Sequence, residues 1–292
     1  MQDISIVIKG AGEMASGIAH RLFTANMTRV CMIEIENPLC VRRTVSFCEA
    51  LFEQQVEVEG VVGALVRDRA ALAEAWDRKQ IGIIVDPGWK IIADLKPDVV
   101  VDAILAKRNL GTSKDEASIV IGVGPGFSAP DMVHAAIESN RGLNLGRAIY
   151  RGEAESYTGI PAAKAGFRWE RVLRAPHAGK VQLMKSIGDQ VKAGDTVLYV
   201  GATPVRASID GAMRGLIREI EVSENEKIGD IEPGRDSSCC WTISDKARAI
   251  GGGVLEAIRT LLNTSETEAI TKKGVRQWML SAQYAKNKET RV

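Results

Sequence analysis

Over roughly its first half the chain alternates between short, wholly apolar runs and amphipathic stretches, and glycine or proline marks most of the changes. The β-branched run Asp3 to Lys9 predicts a strand, closed by Gly10-Ala11-Gly12. Glu13 to Asn26 predicts a helix, with Met14, Ile18, Leu22 and Phe23 at helical spacing. Arg29 to Ile35 predicts the next strand, so the chain opens with a βαβ unit. Gln55 to Val66 predicts one or two strands turning at Gly60 or Gly63, and Arg69 to Lys79 a helix. Ile81 to Val85, Asp98 to Leu105 and Ile119 to Val123 are continuous apolar runs, the pattern of strands buried on both faces. Pro130 to Ser139 predicts a helix with proline in its first turn.

Together these elements predict an α/β fold, a Rossmann-like doubly wound parallel sheet over residues 1–152. Tyr157 to Pro161 is turn-rich and reads as a linker. Residues 168–232 carry short strands and many turns. Gly179-Lys180-Val181 precedes Gly194-Asp195 much as Gly215-Leu216-Ile217 precedes Gly229-Asp230. This duplication predicts a small two-fold β-barrel. Residues 233–292 then predict a helix from Thr242 to Leu262, capped by Ser244 or Asp245, followed by a basic tail. The helical segment is expected to pack on the first unit.

Composition narrows the function classes. The 292 residues hold 38 Lys plus Arg against 37 Asp plus Glu, a net charge of +1, so no nucleic-acid groove is expected. A 45% hydrophobic share with 26% charged residues fits a folded protein of water-exposed surface. No apolar run is long enough to span a bilayer, and the opening MQDISIVIKGAG reads as a strand and not a signal peptide. Five cysteines, an odd number, argue against a disulfide framework, and a cytoplasmic location is expected.

Candidate chemistry gathers at predicted strand ends. Gly10-x-Gly12-x-x-Ala15 between strand and helix fits a dinucleotide fingerprint, with the amides of Glu13, Met14 and Ala15 opening the helix. Glu34, about 20 residues on, is placed to meet a ribose, with Glu36 as its close competitor, and Arg42 or Arg43 a 2′-phosphate. The Gly124-Pro125-Gly126 turn could cradle an anion, and Lys107 and Arg108 neutralise one. Asp102 and Lys107 are the weak candidates for proton transfer, with a structural ion pair as the alternative. His134 and Glu138 would share a helix face but lack a third ligand, so no metal site is expected. Cys31 reads as buried and inert, and Cys239-Cys240 as a vicinal pair at a unit's edge.

Several longer strings carry a family likeness. Gly10 to Gly17, Arg42 to Phe47, Asp102 to Asn109, Gly122 to Phe127 and Ile243 to Ala257 resemble YqeB-type proteins, with looser similarity to XdhC-type proteins in the first half. That resemblance implies an accessory or maturation protein of selenium-dependent molybdenum hydroxylases. The glycine fingerprint, taken with that pathway, points to NAD(P) or a molybdopterin-type dinucleotide as ligand, and the resemblance to a hydroxylase apoprotein or its maturation machinery as partner, with no membrane. A homo-oligomer is a further expectation. The alternatives are an NAD(P)-dependent oxidoreductase and a non-catalytic scaffold for the apoprotein. Ala175 to Asp195 resembles biotinyl and lipoyl carrier barrels, but the hairpin near Gly201 to Val205 has no lysine to modify, so docking is the implied role.

Overall fold

The computed structural model of the chain describes residues 4–264, apart from 162 and 235. The first unit contains strands β1 (Ser5–Lys9), β2 (Arg29–Glu34), β3 (Gln55–Val58), β4 (Val61–Leu65), β5 (Ile81–Val85), β6 (Val99–Asp102) and β7 (Ile119–Val123). Short strands follow: β8 (Ser128–Ala129), β9 (Ala135–Ile137), β10 (Ala148–Ile149) and β11 (Gly152–Glu153). The helices between them are α1 (Glu13–Thr24), α2 (Ala50–Glu53), α3 (Arg69–Asp77) and α4 (Lys90–Leu95). The large sheet has the order β10-β9-β7-β6-β1-β2-β5-β4-β3.

Seven of these strands, from β9 to β4, run parallel, while β3 and β10 lie antiparallel at the two edges. The sheet is therefore mixed, which corrects the doubly wound parallel expectation. The reasons are local. The run from Gln55 to Leu65 folds back at Glu59-Gly60, both at positive φ, into a tight hairpin that adds an antiparallel edge. Beyond β6 the crossovers carry no α-helix. The expected helix Pro130 to Ser139 is instead a turn and β9, whose residues Ala135, Ala136 and Ile137 are fully buried beside β7.

Helices nevertheless cover both faces of the sheet, and one comes from far along the chain. Residues 245–264 form α5. Its Ala247, Ile250, Val254 and Ile258 pack with Ile18 and Leu22 of α1 over Ile6, Ile8, Val99 and Ile121. On the opposite face Leu72 and Ala75 of α3 and Ile91 and Ile92 of α4 cover Val7, Val100 and Val120. Ser244 caps α5, its hydroxyl accepting from the Ala247 amide at 3.2 Å, which satisfies one of the otherwise orphaned first-turn donors. The basic tail beyond residue 264 lies outside the described residues.

The second unit comprises β12 (Val172–Arg174), β13 (Gly179–Leu183), β14 (Gln190–Val191), β15 (Thr196–Val200), β16 (Thr203–Arg206), β17 (Gly211–Leu216), β18 (Glu221–Val222) and β19 (Lys227–Pro233). They form two four-stranded antiparallel sheets, β12-β19-β17-β14 and β16-β15-β13-β18. The duplication appears as exchange: β13 pairs with β18 of the second half, and β17 with β14 of the first. Among the described residues no ladder joins the two sheets, so the expected barrel is instead an open pair of sheets. Leu173, Val181, Val197, Leu198, Met213 and Ile228 fill the space between them.

Close backbone approach seats α5. A Cβ on Gly17 would lie 2.7 Å from that of Ala247, and one on Gly253 would lie 1.8 Å from the Gly146 carbonyl oxygen. A Cβ on Gly252 would meet nothing within 4 Å. Gly253→Ala should therefore destabilise the fold by about 1–3 kcal/mol or more through overpacking. Gly252→Ala should stabilise it by roughly 0.5–1 kcal/mol through helix propensity. Urea unfolding of the two variants checks this, and equal effects would contradict the packing described.

Candidate functional site

The carboxyl ends of β1, β2 and β6 open onto a cavity of about 420 Å³. Gly10, Gly12, Glu13, Met14 and Glu34 line it with Leu39, Ile104 and Leu105. Gly10 sits at φ +97°, a conformation that favours glycine, with the Ala103 carbonyl close against it. Gly12 is the N-cap of α1, and no side chain caps the helix. The fingerprint loop is thus at the sheet edge, but its surroundings differ from those a dinucleotide needs. Glu34 turns inward, accepting from the Ala11 amide at 2.7 Å and the Ile35 amide at 2.9 Å. Burial pushes its titration up despite those two donors. Glu13 brings a carboxylate to the helix N-terminus, 3.5 Å from Arg42 Nε and 3.7 Å from Arg214 Nη2.

The arginines expected to meet a 2′-phosphate are engaged elsewhere. Arg42 is 3% exposed and donates to the carbonyls of Arg214, Cys239, Cys240 and Thr242. Arg43 donates to the Leu216 carbonyl and lies near Glu49. The Gly124-Pro125-Gly126 turn is filled by its neighbours: a Cβ on Gly126 would lie 2.6 Å from Arg108 Cα, and one on Gly124 2.7 Å from Ser139 Oγ. Arg108 is exposed.

Asp102 and Lys107 are separated. Asp102 is buried and accepts from Thr112 Oγ1 and the Ile104 amide, whereas Lys107 Nζ stands 3.7 Å over the Tyr157 ring. Lys9, not singled out by the sequence, anchors the Asp102 side. It is fully buried at the end of β1, its Nζ 2.7 Å from Thr112 Oγ1, 2.9 Å from Glu116 Oε1 and 3.6 Å from the Trp89 ring centroid. Burial lowers its pKa in spite of Glu116 and Asp102.

His134 Nδ1 accepts from the Val120 amide, and Glu138 accepts from the Asn140 and Glu155 amides. No group among the described residues could hold a metal ion. All five cysteines are free thiols. Burial pushes Cys31 up to about 12 and Cys240 to about 11, which opposes thiolate chemistry at either.

A second cavity, of about 660 Å³, adjoins the first, sharing Met14, Leu105 and Lys227 in its lining. It lies between the large sheet and the second unit. Lys107, Arg141, Arg168, Arg174, Lys227 and Lys246 line it, and Glu155 is the carboxylate among its described lining residues. Most of these cations are held in place. Arg141 grips Asp245 through both carboxylate oxygens at 2.6 and 2.8 Å, which keeps Asp245 well below the usual carboxylate range. Lys227 pairs with Asp230 at 3.3 Å, and Arg174 donates to the Asn225 carbonyl.

The ammonium of Lys246, in the first turn of α5, has no hydrogen-bond or ion-pair partner among the described residues. Burial lowers its pKa, and Arg141 and Lys227 lower it further, against the opposing pull of Glu13 and Glu138. Sequence reasoning missed Lys227, Lys246, Arg168 and Arg174 as site residues. They come from separate segments with no shared motif, and only the packing of the second unit and α5 brings them together.

The fold and site define a mixed α/β protein with a cationic cleft between its two units. No family model matches the chain. It is 44% identical over 259 residues to the uncharacterized protein YqeB of Escherichia coli (strain K12), a match that takes in 88% of this chain and 48% of that protein. The chain therefore spans about half the length of this curated relative. Among solved structures it is similar to TcdA (CsdL), with a TM-score of 0.34 and 11% identity over 91% of this chain and 89% of that one. An aspartoacylase family protein from Mesorhizobium loti gives 0.23 and 14%, over 78% and 84%. A succinylglutamate desuccinylase/aspartoacylase from Rhodobacter sphaeroides gives 0.21 and 16%, over 29% of each chain. Superpositions this loose transfer neither fold nor chemistry.

These findings correct the functional expectations. The curated relative is named without an activity, so neither the expected maturation role nor the XdhC-type likeness is carried by it. The expected NAD(P) or molybdopterin-type ligand also lacks its contacts, since Glu34, Arg42 and Arg43 are all spent within the protein. The oxidoreductase alternative falls with that ligand, and the scaffold alternative with the maturation role. No helix among the described residues is long and apolar enough to cross a membrane.

Two outcomes follow from the buried cations. Arg42→Ala removes a charged donor from four carbonyls and should destabilise the protein by about 2–4 kcal/mol, read by urea unfolding. For Lys9 the folded-state pKa lies below the unfolded value, so between the two the unfolded chain binds more protons and stability rises with pH. Unfolding midpoints measured across that window, below the ordinary lysine value of 10.5, should climb, and the climb should shrink in Lys9→Met.

Proposed function

We propose that the chain binds a small organic acid in the cleft between its two units. Lys246 carries this reading: a half-buried ammonium in a wall shared with Arg141, Arg174 and Lys227, with no counter-ion of its own. Gathering like charges in a partly desolvated cleft is unfavourable until an anion arrives. A carboxylate fits the guanidinium of Arg174, which gives only Nη1 to the Asn225 carbonyl, whereas the fork of Arg141 is taken by Asp245. The adjoining cavity, lined by Leu39, Ile35, Pro38 and Met14, offers an apolar continuation for the rest of such a molecule. We read the protein as cytoplasmic, where its five thiols stay reduced.

Calorimetry with citrate tests the proposal. Binding should weaken as salt screens the cleft. Arg174→Ala should weaken it by about tenfold, the loss of one charged hydrogen bond. Absence of binding, or binding indifferent to this variant, would overturn the reading.

A further inference from the structure

We infer that Lys246 is a reactive amine that condenses with the carbonyl carbon of an oxo acid held in the cationic cleft. The inference deepens the organic-acid reading and rests on it. Its geometric basis is a contrast among the lysines that line the cleft. Lys107 is held against the Tyr157 ring and Lys227 against Asp230, whereas Lys246 is held by nothing among the described residues. Its position is also fixed from behind. The preceding residue, Asp245, is clamped by Arg141, the following one, Ala247, is fully buried, and Ser244 caps the turn. An anchored backbone therefore presents a lone amine in a cavity lined by groups that recognise carboxylates.

The surroundings favour the free amine. Lys246 stands in the first turn of the 20-residue α5, where the helix field opposes a cation. Arg141 and Lys227 face it with like charge, and Glu13 and Glu138 are the acids that oppose them. Burial above all, and then these like charges, lower its pKa, as in other lysines that act as nucleophiles. An oxo acid bound by Arg174 would bring its carbonyl into this wall. The ammonium first gives a proton to solvent, and the nitrogen lone pair then attacks the carbonyl carbon. The carbonyl oxygen leaves as water, and the product is a protonated imine. Overall, one ammonium and one carbonyl give one iminium and one water, with no oxidant or reductant.

The test uses the full chain with glyoxylate as probe and sodium cyanoborohydride as trap. The hydride adds to the iminium carbon and leaves a carboxymethyl group on the lysine, which peptide mass spectrometry locates. A lysine whose pKa is lowered holds more free amine at neutral pH than an exposed one. Lys246 should therefore be labelled severalfold faster than the exposed lysines, and citrate should slow it selectively. A neutral aldehyde, propionaldehyde, should lose most of that preference for Lys246. Lys246→Arg should abolish the preferred label while weakening citrate binding less than Lys246→Met does. Labelling spread evenly over surface lysines, with citrate still bound in calorimetry, would overturn the amine and leave the organic-acid reading standing. Preferred labelling of Lys246 without citrate binding or protection would support the amine and overturn the organic-acid reading.

Discussion

The guanidinium of Arg42, almost without exposure, donates to main-chain carbonyls of Arg214 in β17, of Cys239 and Cys240, and of Thr242 just ahead of α5. Losing the guanidinium would take a charged donor from all four oxygens, so the contact is costly to lose. Because the four acceptors belong to different segments, one side chain sets where the second unit sits and where α5 begins. The wall of the cleft that carries Lys246 depends on both. Glu13, beside the same guanidinium, extends the network to Arg214 and to the start of α1.

The cleft is thus a product of assembly and not of any one segment. Arg141 comes from the loop after β9, Arg168 and Arg174 from the approach to and end of β12, Lys227 from β19 and Lys246 from α5. Strand ends of the parallel sheet supply its floor, the usual place for a ligand in such sheets. What departs from the usual arrangement is the chemistry of the floor. The glycine turn and its acid are satisfied by each other, and positive charge is supplied from the opposite wall.

The βαβ opening, the apolar strands and α5 could be read from the chain because each is long and periodic enough to state its own geometry. The edges of the sheet could not. β9 and β10 are only two or three residues long, too short for a period, and Pro130 near the expected first turn suggested a helix that the buried Ala135-Ala136-Ile137 run does not form. The duplication in the second unit showed as repeated glycines, but whether its strands close into a barrel depends on ladders between distant residues. At the site, Gly10, Gly12 and Glu34 were found by spacing, yet spacing says nothing of rotamer, and Glu34 chose the Ala11 amide. Lys9 looked like the end of a strand. Only the structure shows it beneath Trp89 and beside Glu116.

The order in which the large sheet is completed has a consequence for biosynthesis. Ile6 and Ile8 leave the ribosome well over 200 residues ahead of α5, which shelters their face with α1. Throughout that interval a broad oily surface of the nascent chain lacks its lid, a condition in which partly folded chains aggregate or are held by chaperones. Yield in a cell lacking trigger-type chaperones should thus depend on how quickly translation reaches that late helix.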